Sequence, residues 1–310
     1  MNDKKLNLII RTITGVLFVI VMVAGFLTPT TMVALFALIT ALALWEYTGL
    51  VNNFVADVQV NRLISTVAGV YFFLAVAGWR TGMVNNFVVM VQIMMMDDSG
   101  SSYRMVNNFV VMVPYILSIV YLLISELYTG NKNAVADMAY TMLGQMYIAM
   151  PLSLINILAF EVNADATGVH YNMLLPLCVF IFLWLNDSGA YCTGSLLGKH
   201  KLFPRISPGK TWEGSIGGGV IVIIAAFVIG LFANESPIYQ LNEWQWAGLG
   251  LVVVVFGTWG DLVESLFKRT LGIKDSGKIL PGHGGMLDRF DSSLMAIPAA
   301  VMYLYTLVSF

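Results

Sequence analysis

The chain has 310 residues, of which 58% are hydrophobic and 11% charged, and its formal net charge is -2. A soluble domain carries about 25% charged residues, so this composition argues against a water-soluble globular enzyme and for a protein that turns most of its surface to lipid. The two cysteines, Cys178 and Cys192, sit in or beside apolar runs without the clustered spacing of a zinc or disulfide framework, and neither is expected to do chemistry.

Taken in chain order, the first eleven residues are short and basic and lead into an apolar run without a small-residue cleavage site, which reads as a retained first helix. Apolar runs of about the length needed to cross a bilayer as a helix then recur. They are Leu8 to Phe26, Thr31 to Tyr47, Leu63 to Gly78, Val110 to Tyr128, Met138 to Phe160, Tyr171 to Leu185, Ser215 to Phe232, Trp246 to Trp259 and Ser293 to Phe310. The expected fold is therefore an all-α polytopic membrane protein of about nine transmembrane helices. With the N-terminus in the cytoplasm, Lys4, Lys5, Arg11, Arg62, Lys132 and the basic segments Lys199 to Lys210 and Lys268 to Arg289 all fall on the cytoplasmic side, leaving Arg80 and Arg104 outside. A further apolar stretch, Met83 to Met96, would invert that pattern if it crossed, so it is assigned to the interface or to a re-entrant loop.

The segment MVNNFVVMV stands at Met83 to Val91 and again at Met105 to Val113, with VNNFVADV at Val51 to Val58. It lacks the fixed period of a solenoid and is read as a local duplication that carries no functional argument. Trp244, Trp246 and Trp259 bracket a span and read as interfacial anchors. Residues 1–137 are taken as an N-terminal group of transmembrane helices, and residues 138–310 as a catalytic region whose polar motifs occupy 186–214 and 260–292.

The polar stretch Gly260 to Ser292, GDLVESLFKRTLGIKDSGKILPGHGGMLDRFDS, lies between two apolar spans. It holds carboxylates able to bind a hard cation and cationic side chains able to bind phosphate oxygens. Asp261 and Glu264 share a face if the preceding helix continues, Asp288 and Asp291 repeat the spacing, and a folded-back loop would bring the pairs together on Mg²⁺. Helix capping and ordinary solvated charge are the alternative. Lys268, Arg269, Lys274 and Lys278 lie between the acids; a pure lipid patch would need no carboxylates, which favours phosphate binding. His283, in a glycine turn, is open to a role in acid or base chemistry, in phosphate binding, or in the turn itself.

The second polar stretch, Asn186 to Gly219, puts Asp187 at the end of an apolar run, where an ionisable side chain points to a polar cavity or an ion site. It adds Lys199, Lys201, Arg205, Ser207 and Lys210. ISPGKT lacks the spacing and flanks of a P-loop. Gly217, Gly218 and Gly219 mark close helix packing.

The run SLFKRTLGIKDSGKILPGHGGMLDRFD, Ser265 to Asp291, resembles the signature of the CDP-diglyceride synthetase family of phosphatidate cytidylyltransferases: S-x-x-K-R, four residues, K-D, then H-G-G-x-x-D-R-x-D. NDSGAY, ISPGKTWEGSIGG and GDLVES resemble further family motifs, with Ser188 where Thr is commoner, so the likeness covers Asp187 to Asp291 well. The N-terminal half matches only as generic membrane helices.

The resemblance implies that the phosphate of phosphatidic acid attacks the α-phosphorus of CTP to give CDP-diacylglycerol and pyrophosphate, a step of phospholipid biosynthesis. It implies Mg²⁺, with a second ion possible in the same cluster, held by Asp261, Asp288 and Asp187. It also implies catalytic roles for Asp261, Asp288, Lys268 and Arg269, and substrate binding by Lys210, Ser207, Ser265, Lys274, His283 and Arg289. Expected partners are CTP, phosphatidic acid, the bilayer and a second copy in a homodimer, with no nucleic acid. The expected location is the bacterial inner membrane, with the N-terminus and catalytic segments cytoplasmic. On this reading Asp288→Asn abolishes turnover and leaves the fold intact. A CDP-alcohol phosphotransferase is disfavoured because D-G-x-x-A-R is missing, a cytidylyltransferase for another polar lipid stays open, and a transporter is disfavoured because its ion site would lie at the midplane.

Overall fold

The computed structural model describes residues 3–81, 108–162, 169–233, 241–277, 279 and 284–307. The stretch Met83 to Met96, most of the repeat around it, and His283 and Lys278 lie outside the described residues. Among the described residues seven helices are long and apolar enough to cross a membrane, against the nine expected. They are α2 (Pro29–Phe54), α3 (Arg62–Arg80), α4 (Val113–Thr129), α5 (Ala134–Ala159), α6 (Leu174–Leu197), α7 (Trp212–Ala233) and α8 (Glu243–Thr270). Helix α1 (Asp3–Phe26) has a shorter apolar part, Thr12–Phe26, and after the short α9 (Leu287–Phe290) the last helix α10 (Ser293–Leu307) has 15 residues.

The chain divides into two compact units, residues 1–19 with 174–310, and residues 20–173. In the second, Thr28 and Thr31 form a capping box at the start of α2, and Asn61 caps α3. Asn52 pins the turn between these helices by accepting from the Val60 N–H at 2.7 Å and donating to its carbonyl at 2.9 Å. Buried Asp137 accepts from the Gln59 N–H and the Asn131 amide, so each oxygen of this enclosed carboxylate has a donor. Helix α5 passes through one π-helical turn, Gln145–Ala149, where the Gln145 amide donates to the Ser65 carbonyl at 2.8 Å. A two-stranded hairpin, β1 (Phe160–Val162) and β2 (Val169–Tyr171), closes the unit and pairs Glu161 with His170.

The other unit contains the polar motifs. Its helices α6, α7 and α8 pack in sequence, and α10 lies against α8. Lipid is as apolar as the protein core, so close van der Waals approach, rather than transfer out of water, must hold these helices together. The sequence provides for it with glycines on the α6–α7 seam. A Cβ at Gly218 would stand 2.7 Å from the Asn186 carbonyl oxygen, and one at Gly189 3.1 Å from the Cα of Gly218. Between α7 and α8, a Cβ on Gly250 would be 2.8 Å from that of Ala226. The predicted packing role of the 217–219 glycines therefore extends to both helices of the seam.

Three sequence expectations change here. The spans predicted to end at Leu185 and Trp259 do not: α6 runs on to Leu197 and α8 to Thr270. A polar residue does not end a helix when a neighbouring helix or hairpin receives its side chain, so Asp187 lies inside α6 rather than at its end. Trp246 is fully buried and is no interfacial anchor, whereas Trp244 and Trp259 are exposed. A second hairpin, β3 (Lys201–Phe203) with β4 (Ser207–Thr211), also interrupts the expected all-α pattern between α6 and α7.

The seam generates a stability prediction. Gly218→Val drives a branched side chain into the Asn186 backbone and should cost about 1–3 kcal/mol, a typical overpacking penalty, read as a lower thermal midpoint in detergent. Gly209→Ala, with nothing within 4 Å of its added methyl, should leave that midpoint unchanged.

Candidate active site

Because α8 continues three turns beyond Trp259, it carries Asp261, Glu264, Ser265, Lys268 and Arg269 on one rigid element. Residues four apart on a helix are neighbours, which puts the Ser265 hydroxyl 3.2 Å from Asp261 Oδ1 and the Lys268 ammonium 2.5 Å from Glu264 Oε2. The two stripes meet different partners.

Asp261 faces the β3–β4 hairpin, from which Lys210 makes an ion pair with its Oδ2. The hairpin is itself tied down. Glu213, at the start of α7, accepts from the N–H groups of Lys199 and His200 and lies 2.6 Å from His200 Nδ1. The side chain of Arg269 donates to the carbonyls of Ile206 and Ile273, joining the hairpin to the turn after α8. Lys210 and Asp187 line a cavity of about 400 Å³ together with Asn186, Thr211, Ser215 and Thr258. The charges that act on Asp187 are Lys210, Asp261 and Arg289.

Lys268 and Glu264 are buried, and the Lys268 ammonium is shared with Asp288 Oδ1 at 2.6 Å. The other oxygen of Asp288 accepts from the backbone N–H groups of Ser276 and Gly285, both at 2.8 Å. Gly284 has φ +82°, a left-handed conformation that suits glycine and lets the chain turn tightly onto that carboxylate. Burial alone would raise the Asp288 pKa, but the bond from Lys268 and the two amides outweigh it and hold the carboxyl below the usual carboxylate range.

Asp291 is the last acid of the signature. Its carboxylate accepts from the Ser292 N–H at 2.6 Å, and a Cβ on Gly260 would stand 2.8 Å from its carbonyl oxygen, so this turn lies tightly against α8. Burial, and then the negative charges of Asp261 and Asp187, push its carboxyl well above the ordinary range.

The folded-back loop expected from the sequence is thus present, and it reaches α8 through a lysine rather than through directly facing carboxylates. Among the described residues no three His, Cys, Asp or Glu side chains sit close enough together to hold a metal. Mg²⁺ takes only one or two carboxylates beside substrate phosphates and water. Asp261 and Asp187 fit that requirement, since a cation, the Lys210 ammonium, already stands against Asp261. Asp288 fits less well: both acids have both oxygens engaged, but Asp261 meets the partly exposed Lys210 and a hydroxyl, whereas Asp288 is enclosed with the buried Lys268 and two backbone amides.

Of the remaining predicted residues, Ser207 opens β4 and is half-buried, while Lys274 and Arg289 are exposed. Asn186 and Thr258 join the site without having been expected there, and Asp291, expected only as the partner of Asp288 in an acidic pair, lies close enough to Asp261 and Asp187 for their charges to act on it. Asp291 was visible as the fourth acid of the motif, whereas Thr258 lies in an apolar run with no local signal.

The cluster around Asp288 alters one expectation from the sequence, that Asp288→Asn leaves the fold intact. The depressed folded-state pKa means that the ionised carboxylate stabilises the protein above the unfolded value of about 3.9, and that this contribution is lost as pH falls through the folded-state value. In chelator, Asp288→Asn should therefore melt below the parent protein at pH 7, with the gap narrowing once the pH falls below about 4. A gap that does not vary with pH would show that the charge is not what anchors the loop.

The sequence matches the Cytidylyltransferase family over residues 9–307. It is 33% identical over 290 residues to a phosphatidate cytidylyltransferase of Staphylococcus aureus, covering 93% of this chain and 96% of the relative. It is 34% identical over 291 residues to the protein of that name from Staphylococcus haemolyticus, with the same shares covered. With a match over nearly its whole length, and with the signature acids and lysines gathered around one helix end, the chain belongs to the cytidylyltransferase family.

Proposed function

We propose that the protein is a phosphatidate cytidylyltransferase that converts CTP and phosphatidic acid to CDP-diacylglycerol and pyrophosphate. The observation that carries this reading is the cavity lined by Asp187 and Lys210, with Lys210 paired to Asp261 of α8 and a second, buried lysine cluster further along that helix. A phosphate oxygen of phosphatidic acid forms a bond to the α-phosphorus of CTP, the bond from that phosphorus to the bridging oxygen breaks, and its electron pair leaves with pyrophosphate. The attacking phosphate is already anionic, so no strong general base is needed, and catalysis reduces to positioning and charge neutralisation.

Lys210, at the cavity wall, exchanges its ion pair with Asp261 for nucleotide phosphate oxygens. Lys268, held between Glu264 and Asp288, keeps a positive charge at the returning loop. Arg269 holds the hairpin in register with α8 through its two carbonyl contacts. Ser265, Ser207, Lys274, Arg289 and His283 complete the set of phosphate and headgroup donors. Asp261 and Asp187 hold Mg²⁺, with Asp291 behind them; Asp288 joins the ligand set only by releasing Lys268. When bound, the ion offsets charge developing on the pyrophosphate oxygens. The basic segments and the N-terminus face the cytoplasm of a bacterial inner membrane, where CTP is available, and the protein works as a homodimer.

Purified protein in detergent, given phosphatidic acid, labelled CTP and Mg²⁺, should form an organic-soluble CDP-lipid and pyrophosphate in equal amounts. EDTA should stop both, and excess Mg²⁺ restore them. Asp261→Asn should lower turnover by about 10²-fold or more with little change in thermal midpoint. Folded parent protein that makes no CDP-lipid would exclude phosphatidic acid as the acceptor.

A further inference from the structure

Beside the polar cavity, α7 and α8 leave an apolar groove of about 310 Å³ facing outward, with Ile216, Val220, Ile223, Leu251 and Val255 on its walls. Ser215 and Thr258 line both the groove and the cavity, so the two adjoin at these small side chains. We propose that this groove holds one acyl chain of the lipid substrate, with the phosphate in the cavity at its end. The proposal rests on the reaction assigned above and adds where its lipid lies.

Three observations favour a substrate tail over any other occupant. The first is that adjacency, which places the start of a tail within about one helical turn of the wall that carries Lys210 and Thr211. The second is length. The groove runs from Trp212 to Ile223 on α7 and from Leu262 to Leu251 on α8, about 17 Å at the helical rise, close to half of the ~30 Å hydrocarbon core. It is therefore one leaflet deep and suits a lipid standing upright. The third is polarity. Leu202, Phe203, Trp212 and Trp259 crowd the end nearest the cavity, with the rings of Phe203 and Trp259 in edge contact at 5.8 Å, while the far end is aliphatic. Aromatic side chains gather where headgroups meet hydrocarbon, so the groove has a headgroup end and a tail end, and the headgroup end adjoins the cavity lined by Lys210 and Asp187.

The test compares long-chain and short-chain phosphatidic acid, dioleoyl against dihexanoyl, in mixed micelles with the intact protein. Val220 and Val255 are 50% and 41% exposed, so Val220→Trp and Val255→Trp can fill the groove from its open side without entering the core. Each should lower kcat/KM for the dioleoyl lipid about tenfold, leaving the dihexanoyl lipid and the KM for CTP unchanged. Ile223→Ala, which enlarges the tail end, should shift relative rates toward bulkier chains and keeps the test open should the tryptophan variants fail to accumulate.

Equal losses on both lipids, or none on either, would overturn the proposal; the latter would mean that an ordinary bilayer lipid covers the groove. A change in molecular mass in detergent, without chain-length dependence, would give the groove to a second copy of the protein and also overturn it. Parent protein that converts neither lipid would instead overturn the assigned reaction, which keeps the two failures distinct.

Discussion

Everything in the polar half of this protein depends on a lysine held between two acids. Lys268 lies 2.5 Å from Glu264 on its own helix and 2.6 Å from Asp288 on the returning loop. A buried charge without a partner costs several kcal/mol, so none of the three tolerates the absence of the others. The two backbone N–H groups that Asp288 also accepts from tie Ser276 and Gly285 to the same carboxylate. The cluster contributes position more than net stability, since a buried ion pair gains little over an apolar replacement.

The glycine seam provides the second constraint. Asp187 meets the charges of Lys210 and Asp261 because α6 and α7 approach until the Gly218 position touches the Asn186 backbone. Side chains at these positions would push the helices apart and draw Asp187 away from the hairpin that carries Lys210. Glu213 acts in the same direction from the other end, by tying the first turn of α7 to the chain entering β3.

Much of this was legible in the sequence. The apolar composition pointed to the fold class, and the carboxylates and lysines of 260–292 marked the chemistry, because such side chains near lipid need a polar purpose. The ends of α6 and α8 were not legible. Hydropathy stops a span at Asp187 or Asp261, while the backbone continues wherever a hairpin or loop arrives to meet those side chains. For the same reason the anchoring contacts of Asp288 were not legible, since its partners, Lys268, Ser276 and Gly285, are brought to it only by the fold. Trp246 shows the opposite error. A tryptophan near a span end resembles an interfacial anchor, but Gly230 leaves room for its ring inside the bundle, and no local pattern reports that space.

A cytidylyl transfer to a lipid joins reactants that share no solvent, and the arrangement at the end of α8 is a physical answer to that problem. The same helix that carries Asp261, paired with Lys210 of the cavity wall, lines an apolar groove two turns earlier with Val254 and Val255. The change of environment occurs at Thr258 and Ser215, whose small hydroxyl side chains can face either side at little desolvation cost. A helix that ended at Trp259, as hydropathy alone suggests, would separate the charged residues from the groove. Its extra three turns hold Asp261, Lys268 and the groove-lining side chains on a single rigid body, with Lys210 of the hairpin paired to it, so a lipid seated along the groove as proposed would have its phosphate beside that pair.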